Sequence, residues 1–153
     1  MKTKTKSNLV NEMKLVIPGC SANESFARSV AAAFMSQLDP TIEEMTDLKT
    51  AVSEAVTNCI VHAYRDSIGK IWIEARIYDD GRLRISVRDK GCGIPDVEKA
   101  REPLFTTGGS ERAGLGFAVM ESFTDSLQVR STVGKGTTVT MEKRVSRRYR
   151  HDG

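Results

Sequence analysis

Ile71-Trp-Ile-Glu-Ala-Arg-Ile-Tyr78-Asp-Asp-Gly81-Arg-Leu-Arg-Ile-Ser-Val-Arg88 decides the fold. Ile71, Ile73, Ala75 and Ile77 alternate with Trp72, Glu74, Arg76 and Tyr78, and beyond Asp79-Asp80-Gly81 the residues Leu83, Ile85 and Val87 alternate with Arg84, Ser86 and Arg88. A period of two predicts strands, the Asp-Asp-Gly turn joins them as a hairpin, and one face is buried while the other is more polar.

Upstream of a turn near Asp66 to Gly69 the period is 3.6. Ser21 and Glu24 offer a capping box to a helix over about Asn23–Leu38, with Phe26, Val30 and Ala33/Phe34 at helical spacing. Asp39-Pro40 ends it, and Thr41 with Glu44 opens a longer helix to about Tyr64. Met13 to Ile17, closed by Pro18-Gly19, reads as a first strand. Downstream, Asp89 to Pro95 is a glycine-rich loop, Asp96 to Glu102 holds a short helix, and Pro103 to Gly114 is a Gly/Thr/Ser-rich lid. A helix over Leu115–Ser126 and a second hairpin, Leu127–Thr132 with Thr137–Lys143, complete the chain. The fold class is α+β: a two-layer sandwich with a mostly antiparallel, mixed sheet and helices on one face.

With 153 residues and 39% hydrophobic content, the chain suits one domain with a real core. No apolar run approaches a membrane span, and the basic start is followed by no apolar stretch, so neither an anchor nor a secretory signal is expected. Cys20, Cys59 and Cys92 lack metal-ligand spacing and read as isolated reduced thiols of a cytoplasmic protein. The formal charge of +3 resides at the ends: between Asn8 and Glu142 there are 15 cations against 19 acids. Lys2, Lys4, Lys6, Lys143, Arg144, Arg147, Arg148 and Arg150 make two basic tails, solvated ends rather than a nucleic-acid face. The boundaries expected are a basic segment 1–10, a domain 11–143 and a disordered tail 144–153.

Four features carry chemistry. Glu54 and Asn58 are i, i+4 neighbours on a turn that Ala55, Val56, Cys59 and Ile60 make apolar nearly all round, so a metal, ligand or neighbouring helix must satisfy them. Asp89-Lys-Gly91-Cys-Gly93 follows a strand, where an aspartate can accept hydrogen bonds from a base and glycines admit close approach. Gly114-Leu-Gly116 opens a helix expected to favour phosphate. Gly134-Lys-Gly136-Thr-Thr138 alone is a hairpin turn. Each is weak singly, and each has a bland alternative as solvated face, turn or cap.

Their order resembles the ATP-binding fold shared by gyrase B, Hsp90, sensor histidine kinases and MutL. Asn23-Glu-Ser-Phe-Ala-Arg28, Gln37-Leu-Asp-Pro40, Ser53-Glu-Ala-Val-Thr-Asn58, Gly93-Ile-Pro95, Pro103-Leu-Phe-Thr-Thr107 and Lys135-Gly-Thr-Thr138 narrow the resemblance to the sporulation anti-sigma F factors, over about Asn11 to Lys143. That resemblance implies ATP/ADP and Mg²⁺ as cofactors, with Asn58 ligating the metal and Glu54 orienting or deprotonating a serine hydroxyl or water. It implies that Asp89, supported by Thr138, binds the adenine amino group and that Gly91 and Gly93 give base and sugar room. It further implies that Thr106 joins the nucleotide contacts, that Gly114, Leu115 and Gly116 offer N–H groups to phosphate, and that Arg112 approaches the γ-phosphate. Arg28 would belong to a surface for a sigma factor and an anti-anti-sigma factor, the latter phosphorylated on serine, in a homodimeric protein.

The sequence contains no Gly-x-x-x-x-Gly-Lys-Ser/Thr loop, no His-Arg-Asp catalytic loop and no Asp-Phe-Gly triplet. His62 and His151 do not fit a histidine-kinase phosphoacceptor, and His62 reads as structural. A non-catalytic, nucleotide-gated sigma-factor binding module is the alternative, and a DNA-binding protein using its tails is a third reading.

Overall fold

The computed structural model describes residues 7–102 and 110–146, with side chains omitted for 110–115. Five strands, β1 (Leu9–Pro18), β2 (Lys70–Tyr78), β3 (Arg82–Asp89), β4 (Ser126–Thr132) and β5 (Gly136–Arg144), form one sheet in the order β1-β2-β3-β5-β4. Four helices, α1 (Ala22–Met35), α2 (Ile42–Asn58), α3 (Val97–Ala100) and α4 (Ser110–Ser122), complete the layers. Every strand pairing is antiparallel, so among the described residues the sheet has no mixed component.

The hairpin forms as the alternation requires: Ile73 pairs with Val87 and Ala75 with Ile85, all four buried. Val139 and Met141 of β5 continue that face. On it lie Leu48, Val52 and Ala55 of α2 and Phe117 and Met120 of α4, each at most 2% exposed. Burying one such large apolar side chain contributes roughly 1.5–3 kcal/mol, so the shared face dominates what holds the layers together.

The capping box of α2 is made: Glu44 N–H donates to Thr41 Oγ1 (2.9 Å), and Thr41 N–H donates to Glu44 Oε1 (2.8 Å). That of α1 is not. Ser21 is itself helical and caps nothing, while Glu24 accepts from Ser53 Oγ and pairs with Arg28 at 3.4 Å. The stripe of α1 is also displaced by one residue from the expected one. Ala27, Ala31 and Met35 are buried and Phe26 is half-exposed, because small residues let α1 approach α2 closely. A 3₁₀ turn, Ser36–Leu38, carries α1 to Asp39, whose φ of 54° ends it.

The packed body runs past the expected limits at both ends. Strand β1 begins at Leu9, β5 continues through Arg144, and Val145 is buried. Two cations assigned to a tail therefore belong to the body: Lys143 Nζ reaches Asp47 Oδ2 at 3.2 Å and Arg144 reaches Asp80. The expected disorder beyond residue 146 concerns positions outside the described residues. Among the described residues no helix is long and apolar enough to cross a membrane.

Candidate functional site

The site lies between the C-terminal half of α2, the end of β3 and α4. Helix α2 is continued by a π-helical turn, Cys59–Ala63, closed by Tyr64 N–H donating to Cys59 O (3.1 Å). Such turns recur where a helix must present side chains irregularly. Here the widened turn leaves Ala63 O to accept from Cys92 N–H at 3.1 Å, tying the helix end to the glycine loop. Tyr64 adds a second tie, its hydroxyl accepting from Lys90 N–H (2.7 Å) and donating to Lys70 O (2.6 Å).

Asp89 ends β3 on the buried face, 5% exposed. Its Oδ1 accepts from Gly91 N–H (2.8 Å) and Thr137 N–H (3.2 Å). Burial pushes its carboxyl above the ordinary range, opposed by the Gly91 N–H, the Cys59 thiol and the Thr137 N–H. Burial, with Asp89 beside it, pushes the Cys59 thiol well above its usual value, so it stays protonated and donates to the carboxylate. With one oxygen held in this way, Asp89 keeps acceptor capacity for a further donor such as an exocyclic amine.

The threonine beside Asp89 is Thr137, not Thr138. Strand alternation puts Thr137 on the buried face opposite Asp89, whereas Thr138 pairs with Arg88 and Arg130 on the other face. Ser131 Oγ completes the corner, at 2.7 Å from Thr137 Oγ1 and 2.7 Å from the Ile94 N–H that donates to it. Gly93, at φ 79°, turns the loop where a side chain would also meet Thr132 O.

Glu54 and Asn58 share one face of α2, and α4 covers them. A Cβ built on Gly116 would lie 3.2 Å from both Asn58 Oδ1 and Glu54 Oε1, so only glycine leaves those groups undisturbed. Asn58 Nδ2 is buried with no hydrogen-bond partner among the described residues. A buried amide left unsatisfied costs about 1–3 kcal/mol, and a bound group would complete it. Glu54 enters no ion pair among the described residues.

One expectation changes at the lid's end. Helix α4 begins at Ser110 rather than Leu115, so Gly114, Leu115 and Gly116 lie within helical turns and not at its N-terminus. Thr106 and the side chain of Arg112 lie outside the described residues. Arg28 is distant in role but linked: it pairs with Glu24, which Ser53, the neighbour of Glu54, also holds. Cys59, Thr137, Ser131 and Tyr64 were not singled out from sequence. Pleat alternation opposite Asp89 was the available signal for Thr137, but it needs the β3–β5 pairing.

Residues 21–143 match a family model described as the histidine kinase-like ATPase domain. The anti-sigma F factor of Caldanaerobacter subterraneus subsp. tengcongensis is 60% identical over 138 residues, covering 90% of this chain and 96% of that one. That of Geobacillus kaustophilus is 51% identical, covering 90% and 94%. In structure, the RsbU and RsbW domains from Mycobacterium tuberculosis superpose with a TM-score of 0.67 at 21% identity, over 94% of this chain and 35% of theirs. The chain spans about a third of that structure, and the likeness there is one of fold. The chain belongs to the anti-sigma F factor family of histidine kinase-like ATPase domains.

Proposed function

We propose that this protein is an anti-sigma factor that sequesters a sporulation sigma factor and, as an ATP-dependent serine kinase, phosphorylates the cognate anti-anti-sigma factor. The observation that carries the reading is the convergence of Glu54 and the unsatisfied amide of Asn58 under Gly116, one residue before the Cys59 that hydrogen-bonds Asp89.

In this reading the ionised Asp89 accepts from the adenine amino group, and the loop at Gly91 and Gly93 admits base and sugar. Asn58 offers Oδ1 to Mg²⁺ and Nδ2 to a phosphate oxygen. A single protein oxygen suits this ion, which would neutralise charge on the phosphates. Glu54 accepts the hydroxyl proton of the attacking serine as the new P–O bond forms and the bond to the leaving ADP breaks. Arg112 and the N–H groups of Gly114, Leu115 and Gly116 stabilise the phosphates if the start of α4 rearranges around nucleotide. Arg28 belongs to the partner surface, and the active species is a homodimer.

The test is to mix the protein with Mg-ATP and an anti-anti-sigma domain and to follow phosphoserine. Transfer that Glu54→Gln abolishes supports the kinase. Nucleotide-dependent sigma-factor binding without transfer supports the non-catalytic binding module instead.

A further inference from the structure

The sheet face that carries no helix is divided by charge. At the end remote from the nucleotide loop its charges are matched: Arg76 pairs with Glu12 at 3.3 Å, and Arg84 and Arg82 both reach Glu142. At the loop end they are not. Arg88, Lys90, Arg130 and Lys135 are all exposed, and none has a carboxylate partner among the described residues. Thr138 lies between Arg88 and Arg130 in the cross-strand register, which puts those two arginines two strands, about 10 Å, apart. Both Arg88 and Lys90 sit over the ring of half-buried Trp72, each 4.9 Å from its centroid. The four cations and Thr138 line one shallow depression at the loop end of the sheet, whose inner margin reaches the buried corner of Asp89, Ser131 and Thr137.

Leaving four like charges together destabilises a free protein, and charge pairing a few residues away shows that this sheet can avoid it. Tryptophan and arginine are also the residues that anchor protein–protein contacts, and ring stacking holds Arg88 in one orientation before any partner arrives. We propose that this end of the open face is a docking surface for an acidic polypeptide segment of a partner protein. Carboxylates of an extended segment laid across the strands would reach Arg88 and Arg130, with Thr138 donating between them. A second copy is a poor occupant, because two such patches would face each other with like charge. Nucleic acid is the other polyanion such a charge could take, and the experiment separates the two.

The experiment uses the full chain and two fluorescent probes, an alternating Glu/Ser 12-residue peptide and a single-stranded DNA of equal charge, read by anisotropy at low salt. Peptide binding that weakens about tenfold or more in Arg130→Glu/Lys135→Glu and in Arg88→Gln, but not in Lys49→Glu on the helical layer, is the expected result. An unchanged melting temperature shows that the variants are folded. Peptide binding that weakens equally in Lys49→Glu reduces the effect to net charge and overturns the proposal. DNA binding that depends on Arg88 and Arg130 while the peptide does not bind overturns it in favour of nucleic acid.

Discussion

Gly116 of α4 faces Asn58 of α2 so closely that a methyl group on the glycine would stand 3.2 Å from the amide oxygen. The contact makes the helix carrying the lid's end part of the pocket wall. It also means that movement of α4 changes what Glu54 and Asn58 can reach.

Gly116→Ala follows directly. The added methyl crowds Glu54 Oε1 and Asn58 Oδ1 together, and displacement by a few tenths of an ångström misaligns both. Phosphotransfer should fall about tenfold or more. Thermal stability should change little, since alanine in a helix regains roughly 1 kcal/mol over glycine. Melting and phosphoserine formation, measured on one preparation, separate the two effects.

The pH dependence has a defined sign. The folded carboxyl of Asp89 lies above its ordinary range because it is buried, so the fold favours its protonated form. Its contribution to stability therefore grows as pH falls through that raised value, while its ability to accept from adenine is lost over the same window. ATP affinity should weaken as pH falls through that raised value, before an ordinary aspartate would be protonated. Affinity that falls only where an ordinary aspartate takes up its proton would remove Asp89 from base recognition.

Most of the fold was legible in sequence because it rests on periodicity. Ile71 to Arg88 alternates without exception, and Thr41 with Glu44 marks the start of α2 by local hydrogen bonds alone. Ser21 with Glu24 carried the same signature and failed, since a tertiary partner, Ser53, takes the glutamate. The residues around Asp89 were legible as types but not as neighbours. Thr137 and Thr138 differ only in which face of β5 they occupy, and that is fixed by pairing between segments 48 residues apart. Lys143 and Arg144 looked like a tail because charge composition carries no information about Asp47 or Asp80.

Capping supplies a stability test separate from the site. Thr41→Ala removes the acceptor for Glu44 N–H and should cost about 1 kcal/mol, read as a lower denaturant midpoint with unchanged ATP affinity. Leu48→Ala, at a fully buried position between the layers, should cost about 2–5 kcal/mol. A smaller loss from Leu48→Ala than from Thr41→Ala would contradict the packing described.

The thiols should react unequally. Cys92 is exposed, Cys59 is buried and held protonated beside Asp89, and Cys20 is intermediate. Under native conditions iodoacetamide should modify Cys92 readily and leave Cys59 intact, as peptide mass mapping would show. Labelling of Cys59 at a comparable rate would mean that the pocket floor opens.

The central claim is that Asp89 reads adenine in the pocket that Asn58 and Glu54 complete. Calorimetric titration of Mg-ATP into the wild-type protein and into Asp89→Asn tests it most directly. The substitution preserves an oxygen for the Gly91 and Thr137 N–H groups but removes the charge and part of the acceptor capacity. The account predicts ATP binding by the wild type and a loss of about tenfold or more in the variant; equal affinities in the two proteins would contradict it.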